Sequence, residues 1–569
     1  MAPEHQTELL NPIDKQPPTE RELPPHPPTG RPPSDSPRET LRDRELPPHP
    51  PAGRPPAERQ LPPHPPAAPP LNEPGSLVSP ADRRPLDEHE APPHPPDGQP
   101  LANVWIYDGA AYDLTEFIAK HPGGQFFIGR TKNRDITTIV NIFHPNPEKV
   151  KRIIQKYALD REARPEDIHP KYNAPPFLFK EDFNGWKDTP RYSFENKEQL
   201  LNKIKARVNQ PEFAKKVASQ DRLFDIVGIS LFGIYLLSQW LYLDGNQYLP
   251  AYLFIPAIAI LRIALAGVGH YLIHRPQVGI NKVLASLFDI NYVPLALVVT
   301  DGHTLLHHPF TQSEVDIKKS VFTAILELPR YYRIPIHSFH KVGHLVIGMF
   351  LRIADLFLLT FKIGAKDLYG SWQFGVPHFI GSFGIHLLLL AEFVLFWMHG
   401  ALGVWVAQFM ITLWISTFMI VASHDFEHRD SDDEWNIEID WSKKDWAVEQ
   451  IKNSYDLTMV GNKYLDCFLS AGLSPHRVHH VLPQQRSGFA NILSESIVRE
   501  EAEQFGIKWV EPKNFFTERL PRLVTNYLAV PSRMAKENNH GIFKEHFHPQ
   551  ALIKTLDYAF KGWTGVGSI

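Results

Sequence analysis

The sequence predicts a mostly α fold: a disordered Pro-rich N-terminal tail, a small α+β module, and an all-α four-span membrane bundle with its histidine-bearing helices on the cytosolic side. Three observations predict it. The first 100 residues are dominated by Pro and lack apolar periodicity, and a compact stretch with several aromatic residues follows to about Asp160. Beyond it come two pairs of apolar runs of about 20 residues, the length that crosses a hydrocarbon core of about 30 Å. At 569 residues the chain is too long for one small domain. Hydrophobic residues at 43% and charged residues at 21% stand beside 54 prolines, so segments of different kinds are averaged together. A formal charge of -4 gives no global drive towards nucleic acid. The single cysteine, Cys467, excludes an intramolecular disulfide and any cysteine-based zinc or iron–sulfur site. Metal chemistry therefore has to draw on the 28 histidines.

Residues 1–100 repeat one unit: RELPPHPPTGRPP from Arg21, RELPPHPPAGRPP from Arg44, RQLPPHPPAAPP from Arg59 and EAPPHPPDGQP from Glu90. Such units favour extended polyproline II and bury no core, so they are expected to stay disordered. The tail is a plain spacer, or a surface for a proline-reading partner with His26, His49, His64 and His94 as weak metal sites. No charged start with an apolar run and small-residue cleavage site opens the chain, which leaves the amino terminus cytosolic. The organisation expected is a tail over 1–100, the module over 101–175, a linker over 176–222, the membrane domain over 223–530 and a C-terminal cytosolic tail over 531–569.

The four spans expected are Leu223–Leu243, Leu249–Val268, His378–Met398 and Gly400–Ser423. Two weaker stretches, Val283–Thr300 and Leu345–Phe361, are interrupted by polar or charged residues and read as interfacial or re-entrant. The short turns around Gly245 and Gly400 carry no Lys or Arg, whereas Lys203, Lys205, Arg207, Lys215, Lys216 and Arg222 precede the first span. By the positive-inside rule both termini and all histidine clusters face the cytosol. Arg262 and Glu392 fall inside spans, where charge is costly, so an ion pair or a snorkelling arginine is expected.

Within the module, DLTEFIAKHPGGQFFIGR starts at Asp113 and carries His121 at a turn through Pro122, Gly123 and Gly124. His144 follows in TTIVNIFHP. Two histidines on separate turns with aromatic and apolar residues between them can ligate a heme iron from both faces. A Trp-Ile-Tyr strand, then HPGG, then IFHP at this distance resembles the cytochrome b5 domain, in the variant fused to front-end fatty-acid desaturases. The resemblance covers about Leu101 to Leu159 and implies heme b with His121 and His144 as axial ligands. Iron so held has no open position for oxygen, which implies a carrier of single electrons.

The other histidines cluster as HYLIH (His270, His274), HTLLHH (His303, His307, His308), HDFEH (His424, His428) and HRVHH (His476, His479, His480). Spacings of three and four place side chains on one helical face. HTLLHH spreads its rings over a wider arc and calls for a local distortion. His270 directly follows the expected second span and His424 ends the fourth, so the clusters can meet at one membrane face. Ten imidazoles exceed what one ion holds, and an all-nitrogen set suits iron, zinc or copper over calcium or magnesium. The alternative for any one cluster is a set of neutral core histidines, which is the expectation for His386 inside a span.

The order HxxxH, HxxxHH, HxxHH around two pairs of spans resembles the membrane-bound fatty-acid desaturase and hydroxylase superfamily, from about Leu223 to His480. With the heme module, the chain resembles the insect-type cytochrome b5-related proteins. The resemblance implies two non-heme irons among these boxes and a multi-pass protein of the endoplasmic reticulum membrane. Its first box falls on His270 and His274, its second on His303, His307 and His308, its third on His476, His479 and His480, and HDFEH adds His424 and His428, with His428 at the place of the family's further ligand. One departure stands out: front-end desaturases usually begin the third box with Gln, and here His476 does.

Desaturating an alkyl chain with O2 takes four electrons, two from the substrate C–H bonds and two supplied. The stretch from Arg161 to Asp221 would tether the heme module near its acceptor and raise its local concentration. No Gly-rich dinucleotide motif is present, so a separate NADH-dependent cytochrome b5 reductase is expected. The first reading is therefore an O2-dependent desaturase of a fatty acyl substrate, as acyl-CoA or acyl lipid. A hydroxylase would keep the same ligands, and a non-enzymatic membrane-anchored electron carrier would use the boxes structurally or for zinc.

Overall fold

The computed structural model describes residues 103–168, 186–187, 189–245, 249–290, 298–313, 315–316, 325–343, 345, 350, 357, 376–424 and 445–564. The Pro-rich tail and His428 lie outside the described residues, as does most of Leu345–Phe361.

The module opens with strands β1 (Trp105–Tyr107) and β2 (Ala110–Tyr112), joined by an Asp108-Gly109 turn. Both turn residues have positive φ, 55° and 76°, the geometry that matches strand twist in a two-residue hairpin. Helices α1 (Gln125–Arg130), α2 (Thr137–Phe143) and α3 (Pro147–Ile154) follow, and β3 (Ala158–Glu162) pairs antiparallel with β2. The Trp-Ile-Tyr strand is thus present as β1. Trp105 is buried and donates its indole N–H to the Ile128 carbonyl at 2.9 Å, tying β1 to α1 within an apolar core that includes Tyr107, Leu114, Ile136 and Val140.

The connector that follows is not a loose tether in its described part. Leu200, Ile204 and Val208 recur every four residues and form the buried stripe of α4 (Leu200–Val208). This stripe joins a core with Ile142 of the module and with Trp446 and Val478 further along the chain.

Among the described residues, four helices are long and apolar enough to cross a membrane: α5 (Pro211–Gly245), α6 (Ala251–His274), and, after the π-helical α7 (Val298–His307) and α8 (Arg333–Gly343), α9 (Val376–Met398) and α10 (Leu402–Ala422). Two boundaries differ from expectation. α5 begins at Pro211, well before Leu223, because a proline is preorganised for the first helical turn and the amphipathic connector sequence continues into the span. α6 runs past Val268 to His274, so its histidines ride on its last turns instead of following it. It stops where Arg275, extended at φ -73° and ψ 158°, precedes Pro276. Gly269 admits the backbone of a 3-10 segment, Ala285–Ile290, so closely that a Cβ would stand 2.1 Å from the Phe288 nitrogen.

Inside the bundle Arg262 does not snorkel. It pairs with Glu392, which also accepts from the Tyr235 hydroxyl, and donates to the Gln408 side chain at 2.8 Å and the Ile290 carbonyl at 3.0 Å. The expected ion pair is present and its polar groups are satisfied. His386 is buried in α9 with Nδ1 2.7 Å from the Ser382 carbonyl, as a core histidine would be. Trp240, Tyr252 and Trp397 are exposed near the turn end of the spans, the position of an aromatic belt.

After the bundle come α11 (Trp446–Lys452), α12 (His476–Val481) and α13 (Gly488–Gln504). The expected C-terminal tail folds as helices Arg533–Glu537, Ile542–Phe547 and Pro549–Thr564. The ion pair between Arg330 and the buried Glu545, 2.9 Å, ties them to the segment that leads into α8.

Candidate metal centre and electron-donor site

In the module, His121 caps a 3-10 turn and His144 caps α2, each in an extended conformation that turns the ring inward. Nδ1 of His121 donates to the Gly124 carbonyl at 2.8 Å, and Nδ1 of His144 to the Val140 carbonyl at 3.0 Å. These bonds leave both Nε2 atoms for a metal and fix the ring planes. An iron bonded at about 2 Å to one nitrogen of each ring sets the ring centres about 6 Å apart, and the observed separation is 6.2 Å. Burial lowers the pKa of His121 and pushes His144 down to about 4, so both rings are neutral and able to ligate. Gly123 is required beside them, since a Cβ there would stand 2.8 Å from Cε1 of His121.

The boxes of the membrane domain converge into two groups. His270, His274, His303, His308 and His479 form one, and His307, His424 and His480 the other, each with its ligand atoms within 4.8 Å of one another and all rings buried. His476 adjoins the second group, its Nε2 3.1 Å from that of His480. The wide arc of HTLLHH is resolved by the π-turn: the His308 N–H bonds to the His303 carbonyl five residues back, which aims His303 and His308 at one group and His307 at the other. Two imidazoles on adjacent positions of one six-coordinate ion hold their nitrogens about 3 Å apart. The Nε2 separations are 2.8 Å for His270–His303, 3.1 Å for His270–His479 and 3.2 Å for His303–His308. Burial, reinforced by neighbouring imidazoles, holds His308 and His480 well below the ordinary imidazole range. A buried, neutral, all-nitrogen set of this spacing fits a pair of first-row transition ions.

Comparison with known proteins agrees with both halves of this geometry. Residues 247–503 match the fatty acid desaturase family model, and residues 96–161 match the cytochrome b5-like heme/steroid binding domain. The chain is a cytochrome b5 domain joined to a fatty acid desaturase domain. It is 23% identical to the probable Delta(5) fatty acid desaturase C of Dictyostelium discoideum over 67% of this chain and 82% of that protein. It is 24% identical to the Delta(5) fatty acid desaturase A of the same organism, over 74% of this chain and 89% of the relative. A cytochrome b5-related protein of Drosophila melanogaster is 22% identical over 67% of this chain and 78% of its own length. No solved structure matches. The pairing makes the chain a membrane oxidoreductase of the fatty-acid desaturase type, with heme and iron as its families' cofactors and a fatty acyl chain and O2 as its reactants.

The desaturase domain adds an outer layer that the histidine motifs do not reveal. Asp316, fully buried, accepts from His307 Nδ1 at 3.0 Å, which turns Nε2 towards the second group. His480 donates from Nδ1 to the Gln450 side-chain oxygen at 3.1 Å, and Thr311 donates to the same oxygen at 2.8 Å. His424 donates from Nδ1 to the Asn453 carbonyl at 2.9 Å. Asp316 follows the second box by only a few residues, and an acid so placed beside a histidine box is the one sequence signal that could have found it. Gln450 is far from any box in sequence and carries no such signal.

Proposed function

We propose that the chain is an O2-dependent desaturase of a fatty acyl chain, working at the cytosolic face of the endoplasmic reticulum membrane with both termini in the cytosol. Its electrons arrive through its own cytochrome b5 domain from a separate NADH-dependent reductase. His121 and His144 hold the heme. One non-heme iron takes ligands from His270, His274, His303, His308 and His479, and a second from His307, His424 and His480 with His476 beside them. Similarity to an acyl-lipid (8-3)-desaturase of Mortierella alpina favours an acyl-lipid substrate. When bound, the heme supplies single electrons and the iron pair supplies O2 activation and hydrogen abstraction. The balanced reaction removes two hydrogens from adjacent carbons, consumes two electrons, two protons and one O2, and releases two waters.

The chain's own residues do the positioning. Asp316, Gln450 and the Asn453 carbonyl keep the Nδ1 protons of their histidines engaged, so the second group presents Nε2 only. The spans bring the histidines to the end of an apolar bundle, where an acyl chain can lie out of water. The observation that carries the proposal is the convergence of two buried imidazole groups, from four separate boxes, at the end of the spans. The test is the purified full chain: about two non-heme irons with one heme, and new unsaturated lipid in expressing cells. His479→Ala with His480→Ala should remove the non-heme iron and the product while leaving heme reduction intact. Zinc retained in the boxes with iron plentiful, and lipids unchanged in parent and variant, would overturn it.

A further inference from the structure

The two heme-ligand loops of the cytochrome b5 domain are held by different segments, the HPGG loop by the chain that leaves the first histidine box and the IFHP loop by α4 and its C-cap. On the HPGG side, the Gln277 N–H donates to the Gly123 carbonyl at 2.9 Å. Gly124, at φ +99°, lies so close that a Cβ would meet the Gln277 carbonyl oxygen at 2.5 Å and Val278 Cγ1 at 3.5 Å. Gln277 is itself fixed, since its buried side-chain amide donates to the Arg275 carbonyl at 2.9 Å and the Leu272 carbonyl at 3.2 Å. On the IFHP side, the Lys205 ammonium donates to the His144 carbonyl at 2.8 Å and to the Asn141 carbonyl. Asn209 adds a bond to the Pro145 carbonyl at 3.2 Å. Between these two clamps the Phe143 ring stacks on His274, with centres 6.2 Å apart and planes 28° from parallel.

His274 belongs to the five-histidine group, and its ring centre lies 4.5 Å from that of His308 and 4.6 Å from that of His479. Phe143 is bonded through one peptide link to His144. One aromatic side chain therefore separates a heme-ligand residue from an iron-ligand residue. We propose that the Phe143–His274 stack is the contact across which electrons pass from the cytochrome b5 domain to the desaturase domain. The Gly123–Gln277 and Lys205–His144 bonds are the positioning contacts that keep the two domains docked during turnover. The inference rests on the electron-donor function proposed above. Each passage oxidises one ferrous heme to ferric and reduces one ferric non-heme iron to ferrous. No bond forms or breaks at the stack and no proton crosses it. Two passages per double bond deliver the two electrons, drawn from reduced nicotinamide through the reductase. A docked donor needs no encounter step, so its rate is independent of protein concentration.

The experiment uses the full chain loaded with heme and iron, with the heme prereduced by dithionite and then mixed with O2 and acyl lipid. The heme absorbance reports its oxidation, and hydrogen exchange at the Gln277 amide reports docking independently of turnover. In the parent, oxidation should be first order and concentration-independent, and the amide protected. Phe143→Leu should slow oxidation severalfold with the heme spectrum, iron content and amide protection unchanged, and Phe143→Trp should restore the rate. Gly124→Val should expose the amide and slow oxidation severalfold, while the reaction stays first order because the domain remains tethered in the same chain. Parent-like oxidation in Phe143→Leu with the amide still protected would overturn the stack's role, as would slowing that Phe143→Trp fails to restore. An unprotected amide in the parent would overturn the docked position. Oxidation no faster in the parent than in the His479→Ala, His480→Ala variant would instead overturn the electron-donor function itself, which separates the two failures.

Discussion

At the residue scale, the metal-facing groups depend on partners that carry no metal themselves. Asp316 is the sharpest case, since it is buried and fixes His307 through Nδ1. Outer partners of this kind are worth about 10–100-fold in metal affinity. Asp316→Ala should therefore raise the iron concentration that half-fills the second group by about that factor, with the five-histidine group and heme content unchanged, read by metal analysis of the chain titrated with iron. A second residue-scale prediction concerns acid stability. Burial alone would raise the Asp167 carboxyl, but the Arg161 guanidinium, bonded to it at 2.6 and 2.7 Å, and the Arg164 N–H overcome that and hold it below its usual range. A carboxyl depressed on folding stabilises the native state above its unfolded pKa, and the gain is lost as pH falls through the folded value. Asp167→Asn should thus lower the thermal midpoint followed by the heme band at neutral pH. The gap between parent and variant should close on acidification below the usual carboxylate range.

At the scale of single elements, the imidazoles were legible because helical spacing forces HYLIH and HRVHH to converge, and the arc of HTLLHH announced the distortion that the π-turn supplies. The extent of the helices was less legible. Apolar runs mark what lipid covers, whereas α5 and α6 continue as helix beyond that cover, through Pro211–Arg222 at one end and Gly269–His274 at the other. α4 was hidden by its charged residues, although its stripe of Leu200, Leu201, Ile204 and Val208 is a helical signal. The contact between α6 and the Ala285–Ile290 segment gives a prediction of its own. Gly269→Ala forces a Cβ into the Phe288 backbone and should cost about 1–3 kcal/mol. It should also displace His270, so a lower unfolding midpoint by tryptophan fluorescence should come with reduced iron content.

At the scale of the whole molecule, the ends of α6 and α10 that carry the histidines lie together, opposite the C-termini of α5 and α9, where the two short turns of the sequence fall. The absence of Lys and Arg from those turns predicts that glycosylation acceptors inserted near Gly245 and Gly400 are modified in cells. Modification of an acceptor placed between His308 and Lys341 would mean that this orientation is inverted. The sequence could not show that the cytochrome b5 domain is seated and not merely tethered. Seating depends on backbone groups of Gly123, Asn141 and His144, which have no side-chain signature, and on Gln277 and Lys205, which look like ordinary polar residues until their neighbours are known.

α6 runs from Ala251 to His274 with Pro256 in its second turn, and it carries His270 and His274 at its far end. A helix of 24 residues is about 36 Å long, so a tilt of about 5° about its far end moves the histidine end by about 3 Å. That displacement is as large as the nitrogen separations within the five-histidine group, to which α6 contributes two members and other segments three. Spans adjust their tilt to the thickness of the bilayer around them. An ion held by this group would therefore feel the thickness of the bilayer through α6, and acyl-chain length in the surrounding lipid would become a physical variable of the site.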